Sequence, residues 1–175
     1  MVIELKELLT TADKEQSFEA KLEQTSVIVN GDEYPIVKQS PFTLSMKNVS
    51  NRELSISADL EIVVSIPCDR CLEAVERTLS LQIEEKLKLD GAGEIVSGKE
   101  ETADYMIGSG LDVDKLIYGE ILVNWPAKVL CKEDCRGICS KCGTNLNVRT
   151  CDCDQTELDP RMAVIQDIFN QFKEV

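Results

Sequence analysis

The sequence predicts an α+β protein. An antiparallel, β-rich N-terminal part leads to a long hairpin with a Cys knuckle at its tip, followed by helices and a Cys-rich zinc-binding C-terminal segment. Three observations point there. A strict two-residue alternation runs through Leu54, Ile56, Ala58, Leu60, Ile62, Val64 and Ile66, the period of a strand with one buried face. Helical spacing of apolar residues appears later, in 111–126 and in 159–172. All eight cysteines stand in close pairs, and the chain has no histidine.

In chain order, Phe18, Ala20 and Leu22 alternate in "SFEAKLE", and Phe42, Leu44 and Met46 alternate in "FTLSM". After the long run at 54–66 comes "PCDRCLE". The alternation then resumes as Val75, Leu79, Leu81, Ile83, Leu87 and Leu89, broken only by Arg77 and Glu85. Two long strands around one short turn predict a hairpin with Cys68 and Cys71 at its tip. Residues 90–110, acidic and glycine-rich, read as a loop or linker. Val113, Leu116, Ile117, Ile121 and Leu122 share a helical face, with Asp112 or Asp114 as the cap and Pro126 as the stop. Asp159 and Pro160 suit the start of a last helix, whose stripe is Met162, Ile165, Ile168, Phe169 and Phe172. The expected organisation is a β-rich region over 1–89, the loop over 90–110, and a helix, Cys-rich segment and C-terminal helix over 111–175, as one integrated domain.

Composition narrows function. The 175 residues suffice to bury a core, and a net charge of −13 favours basic partners over phosphate backbones. Without histidine there is no Ser-His-Asp or Cys-His nucleophile. No phosphate-cradling glycine motif occurs. The opening "MVIELKELLT" carries charges where a signal peptide needs an apolar stretch, and no apolar run would cross a bilayer. A cytoplasmic protein, with no membrane and no small-molecule substrate, is expected, and a reducing cytosol argues against disulfides.

The cysteine spacings are Cys68-x₂-Cys71, Cys131-x₃-Cys135, Cys139-x₂-Cys142 and Cys151-x-Cys153. Each pair can offer two thiolates to one ion, and a tetrahedral zinc needs two pairs. One or two structural zinc ions are expected. Cys139, Cys142, Cys151 and Cys153 would form a local site, and Cys68 and Cys71 would join Cys131 and Cys135. Disulfides, an iron–sulfur site and a thiol redox couple are the alternatives. Five cations (Lys128, Lys132, Arg136, Lys141 and Arg149) stand against Glu133 and Asp134 in 126–150. Together with Arg70, the last four are candidates either to compensate thiolate charge or to contact RNA.

"CDRCLE", then "YGEILVNWPAKVLCKEDCRGICSKCGTNLN", then "CDCD" and "DPRMAVI" resemble the YceD family, the large ribosomal RNA subunit accumulation proteins. The resemblance covers roughly residues 55–175. It rests on Cys68–Leu72, Glu120, Pro126, Gly137–Cys139 and Asp159–Arg161, with Trp125 where an aliphatic residue would be expected. It implies a non-enzymatic role in large-subunit ribosomal RNA accumulation and in ribosome assembly. The family's gene often neighbours that of a small basic ribosomal protein, so the implied partner is a basic large-subunit ribosomal protein or a pre-ribosomal particle. Direct RNA binding by the zinc segment is the alternative, and a thiol oxidoreductase using Cys68 and Cys71 is a third reading.

Overall fold

The computed structural model describes residues 1–90, 94–96, 104–153 and residue 165. In chain order the elements are β1 (Val2–Glu4), α1 (Lys6–Thr10), β2 (Glu15–Ala20), β3 (Ser26–Val29), β4 (Asp32–Gln39), β5 (Phe42–Val49), β6 (Glu53–Pro67), β7 (Ala74–Lys88), β8 (Met106–Ile107), β9 (Gly110–Asp112) and α2 (Val113–Val123). The fold is mostly antiparallel β with few helices, so the α+β expectation holds only loosely. The reason is local: α1 is five residues and α2 eleven, and the Cys-rich segment is built from turns. Of the last expected helix, over 159–172, only Ile165 lies among the described residues, half exposed.

The chain forms two compact units, interleaved in sequence. One comprises Met1–Pro67 and Ala74–Val129, the other Cys68–Glu73 and Leu130–Val175. The first contains a three-stranded sheet in the order β1-β9-β8 and a six-stranded sheet in the order β2-β5-β6-β4-β3, with β7 also paired to β6. All pairings are antiparallel. β8 and the start of β9 lie in the stretch whose composition reads as a loop.

β6 organises the larger sheet. One edge carries β5 along Glu53–Ala58 and then β4 along Ile62–Val64. The other edge carries β7 over all fifteen residues without a bulge. Every second residue from Leu54 to Ile66 is buried, with Leu54, Ile56 and Val64 fully enclosed. Removing such a side chain from water stabilises the fold by about 1.5–3 kcal/mol. Leu8 and Leu9 of α1 and Leu116, Ile117 and Ile121 of α2 complete the same core.

Local sequence sets the connections. Asn30 and Gly31 both take positive φ, 54° and 94°, the two-residue turn whose twist suits the β3–β4 hairpin. Asp112 caps α2, its carboxylate accepting from the Lys115 N–H at 3.4 Å. The helix ends before Pro126, where Trp125 packs on Tyr34 with ring centroids 5.0 Å apart. No helix among the described residues is long and apolar enough to cross a membrane.

A candidate metal centre of eight thiols

The second unit gathers the cysteines. Cys68, Cys71, Cys131 and Cys135 form one group, and Cys139, Cys142, Cys151 and Cys153 the other. In each, all four sulfurs lie within 4.8 Å of one another. None is in a disulfide. The Cys68 and Cys135 sulfurs are 3.8 Å apart, and those of Cys71 and Cys131 are 3.5 Å apart. A disulfide would need about 2.0 Å. Four thiolates at about 2.3 Å from a central ion stand about 3.8 Å from one another in a tetrahedron. Each group therefore could hold a metal ion.

The same backbone turn builds the first half of both groups. In Cys68–Glu73, the Cys68 N–H donates to the Glu73 carbonyl at 2.8 Å and the Leu72 N–H to the Cys68 carbonyl at 2.9 Å. In Cys139–Thr144, the Cys139 N–H donates to the Thr144 carbonyl at 2.8 Å and the Gly143 N–H to the Cys139 carbonyl at 2.9 Å. Both turns need a left-handed residue after the second cysteine, supplied by Leu72 (φ 62°) and by Gly143 (φ 69°). Glycine enters this region freely, whereas a residue with a Cβ pays roughly 1–2 kcal/mol. Leu72 is also 65% exposed, so little burial offsets that strain. Leu72→Gly is expected to stabilise the second unit slightly, by about 0.5–1 kcal/mol. Chemical denaturation monitored by thiol accessibility would measure it, and a loss of stability would show that the leucine side chain is held by contacts.

Hydrogen-bond donors aim at the sulfurs. Burial pushes the Cys68 thiol up, but backbone N–H groups of Arg70, Cys71 and Cys131 outweigh it and bring it down to about 6. The Thr144 hydroxyl and N–H, with the Cys139 thiol, bring Cys142 down to about 6 as well. Cys135 is lowered against its burial by the Asn147 side chain, whose Nδ2 lies 3.2 Å from the sulfur, and by the Gly137 N–H. The lowered Cys139 thiol accepts from the Cys142 and Lys141 N–H groups. The remaining protons settle on the other thiols. At Cys71 the Glu73 N–H lowers the pKa, yet burial and the thiols of Cys131, Cys68 and Cys135 push it up to about 12. At Cys153 the Cys142 thiol, then burial, does the same, again to about 12. In each group two thiols are thus lowered, and a bound cation would displace the thiol protons that remain.

The two groups differ in exposure. Cys68, Cys71 and Cys135 are buried and Cys131 half-buried; Cys139 is buried, Cys142 exposed, and Cys151 and Cys153 half-buried. Around the first group, the Arg70 guanidinium donates to the Cys135 carbonyl at 2.8 Å, and the Ile138 N–H to the Arg70 carbonyl at 3.0 Å. A Cβ on Gly137 (φ 79°) would stand 3.0 Å from that Arg70 carbonyl oxygen, so the close approach requires glycine. Lys132 lies 3.9 Å from Asp134, and the Arg136 N–H donates to Asn147 Oδ1. Lys141 and Arg149 are exposed. Arg70, one of the candidate RNA contacts, thus serves the turn itself. Asn147 and Thr144 escape a reading based on cysteine spacing alone. Their signal is the run "GTNLN" directly after the second knuckle.

Two four-thiol groups, each built on one knuckle turn, define a class of protein with sites that could hold a metal ion. The chain belongs to the family described as Large ribosomal RNA subunit accumulation protein YceD, whose model matches residues 56–169. An uncharacterized protein of Mycobacterium leprae (strain TN) is 26% identical over 107 residues, covering 58% of this chain and 49% of that protein. The "Large ribosomal RNA subunit accumulation protein YCED homolog 1, chloroplastic" of Arabidopsis thaliana is 39% identical over 49 residues, covering 28% of this chain and 15% of that protein. The chain therefore spans half or less of the curated relatives it matches. No solved structure matches it.

Proposed function

We propose that this chain is a non-enzymatic, cytoplasmic zinc protein that supports accumulation of large-subunit ribosomal RNA. In this reading it binds a basic ribosomal protein or an assembly intermediate. Family membership names the pathway. The distribution of charge carries the choice of partner. The first unit has 22 acidic residues against 12 Lys and Arg, whereas the described part of the second has five of each. An acidic body steers basic proteins into contact and repels free nucleic acid.

Zinc is the metal this reading assigns to both groups. The sulfurs of each converge on one point, whereas a multi-iron cluster spreads its thiolates over separate iron atoms. Four thiolates leave no open position for substrate, so the ions serve folding. Structural zinc supplies on the order of 10–16 kcal/mol of apparent binding energy, which stabilises a turn-built segment with little core.

Direct RNA binding has less support. Arg70 is committed to its own turn, the described part of the second unit carries no excess of cations, and Trp125 is packed on Tyr34. Burial of Cys68 and Cys71 counts against thiol exchange with a substrate. The test is affinity capture from extract at low and moderate salt, with the bound proteins and RNA identified. Large-subunit proteins or precursor particles should be recovered at low salt and released as salt rises. Recovery of neither would sink the proposal, and recovery of RNA alone would favour the second reading.

A further inference from the structure

Arg77 and Glu85 are the two charges that interrupt the inward face of β7, and they have no role in the metal centres. Arg77 is exposed, with no hydrogen-bond or ion-pair partner among the described residues. Glu85 stands beside Glu120 and the Tyr105 hydroxyl, with no cation in ion-pair contact among the described residues. Burial and then the charge of Glu85 hold the Glu120 carboxyl above its ordinary value. Burial and then Glu85 also push the Tyr105 hydroxyl up to about 12. Among the described residues Glu85 and Glu120 are short of a cation, and Arg77, eight positions from Glu85 on the same strand, is short of an anion.

The other side of β7 is an open edge among the described residues. Among the described residues it pairs with β6 alone, except at its end, where Leu89 bridges Ile95. There the Val96 N–H donates to the Lys88 carbonyl at 2.9 Å, while the Leu89 N–H turns the other way to the Arg52 carbonyl. Backbone groups alternate in direction along a strand. Those of Ala74, Glu76, Thr78, Ser80, Gln82, Glu84 and Lys86 therefore face the free edge. The edge left open between the turn and the Lys88 cap is centred on Leu81.

We propose that β7 pairs edge to edge, antiparallel, with β7 of a second copy of this chain about a two-fold axis at Leu81. The self-complementary register identifies the occupant. With Leu81 opposite its own copy, Arg77 faces Glu85 of the second copy, and Glu76 faces Lys86 of the second copy. The two-fold repeats each, giving four opposite-charge pairs. On the inward face Leu79 meets Ile83 and Val75 meets Leu87. On the outward face Ser80 meets Gln82 and Thr78 meets Glu84. Sliding by two residues in one direction sets Glu76 against Glu84 and Arg77 against Ile83. Sliding in the other sets Arg77 against Leu87 and Glu85 against Leu79. That second slide still sets Glu76 against Lys88, but of the three registers only the centred one matches Arg77 with Glu85 as well as Glu76 with a lysine, and matched cross-strand pairs are the units that fix register. Lys86 also lies 3.7 Å from Glu53 on β6, and at that exposed edge it can serve both carboxylates. An isologous two-fold contact of this kind closes on itself and uses up the β7 edge.

Sedimentation velocity on the full chain, over a wide concentration range, tests this. A concentration-dependent dimer is expected. Lys86→Glu should weaken it by about tenfold or more, because two attractive pairs become repulsive. Adding Glu76→Lys to that variant should restore it. Ser80→Pro removes an N–H that faces the free edge and none that bonds β6, so the monomer should fold and the dimer be lost. A monomer at every concentration would overturn the proposal. So would a dimer that Lys86→Glu and Ser80→Pro both leave intact, or one lost in Lys86→Glu that the charge swap does not recover.

Discussion

Replacing Cys135 with serine should cost the chain one metal ion of two and leave the other bound. Cys135 is 2% exposed and draws together the parts of its group. Its sulfur accepts from Asn147, its carbonyl accepts from Arg70, and it stands 3.8 Å from the Cys68 sulfur. A serine oxygen is harder and far less acidic than a thiol, so the remaining three thiolates would hold a soft-ligand site weakly. With that ion gone, the Cys68–Glu73 turn keeps its own two hydrogen bonds and the Arg70 contacts but loses the tie through sulfur to Cys131 and position 135. Elemental mass spectrometry should fall from two ions per chain to one. Thiol counting should show Cys68, Cys71 and Cys131 newly reactive while Cys139, Cys142, Cys151 and Cys153 stay protected. Cys153→Ser should give the mirror result. Loss of both ions in either variant would mean the two groups do not bind independently, and retention of both would remove Cys135 from the ligand set.

Asn48→Asp should be among the most damaging single changes in the first unit. Asn48 occupies a buried slot on β5 and is fully enclosed. Its Nδ2 donates to the carbonyls of Leu8 at 2.9 Å and Leu9 at 3.1 Å, and its Oδ1 accepts from the Asn51 N–H at 2.9 Å. One amide thereby satisfies the end of α1 and the turn into β6. Aspartate keeps the shape, but it replaces the donor with a negative charge facing two carbonyl oxygens. A buried charge without a partner and two orphaned acceptors should cost about 3–5 kcal/mol. Asn48→Ala should cost about 1–3 kcal/mol, since it orphans the same groups without adding charge. Urea unfolding of both variants would measure the difference. Equal losses would show that the pocket protonates or hydrates the aspartate.

Asn48 also marks where sequence reading runs out. The alternation Phe42, Leu44, Met46 ends at a polar residue, so period alone stops the buried face one slot early. The long hairpin is legible because fifteen-residue strands repeat the same signal many times. β1, β8 and β9 are two or three residues long and give periodicity nothing to act on. α1 has Leu8 and Leu9 buried on a single turn, too short for a helical stripe. β3 and β4 did carry a signal, the Asn30–Gly31 turn, which reads as a hairpin only when weighed with Val27 and Val29. Pair spacing shows that the thiols act in twos, whereas which pairs join is settled by the fold that brings the β6–β7 turn to Cys131 and Cys135. Asn147 is invisible to that logic, since its role depends on a three-dimensional approach to Cys135.

The interleaving of the two units sets an order of events during synthesis. Cys68 and Cys71 leave the ribosome with the β6–β7 hairpin, but their proposed partner Cys135 follows some sixty residues later. At ordinary elongation rates that gap lasts about 3–13 s. For that interval a strand pair that can already zip holds two bare thiols at its turn. The nascent chain must reach completion in a reducing, metal-buffered surrounding, or those thiols can be captured by oxidants or stray ions before their own partners exist.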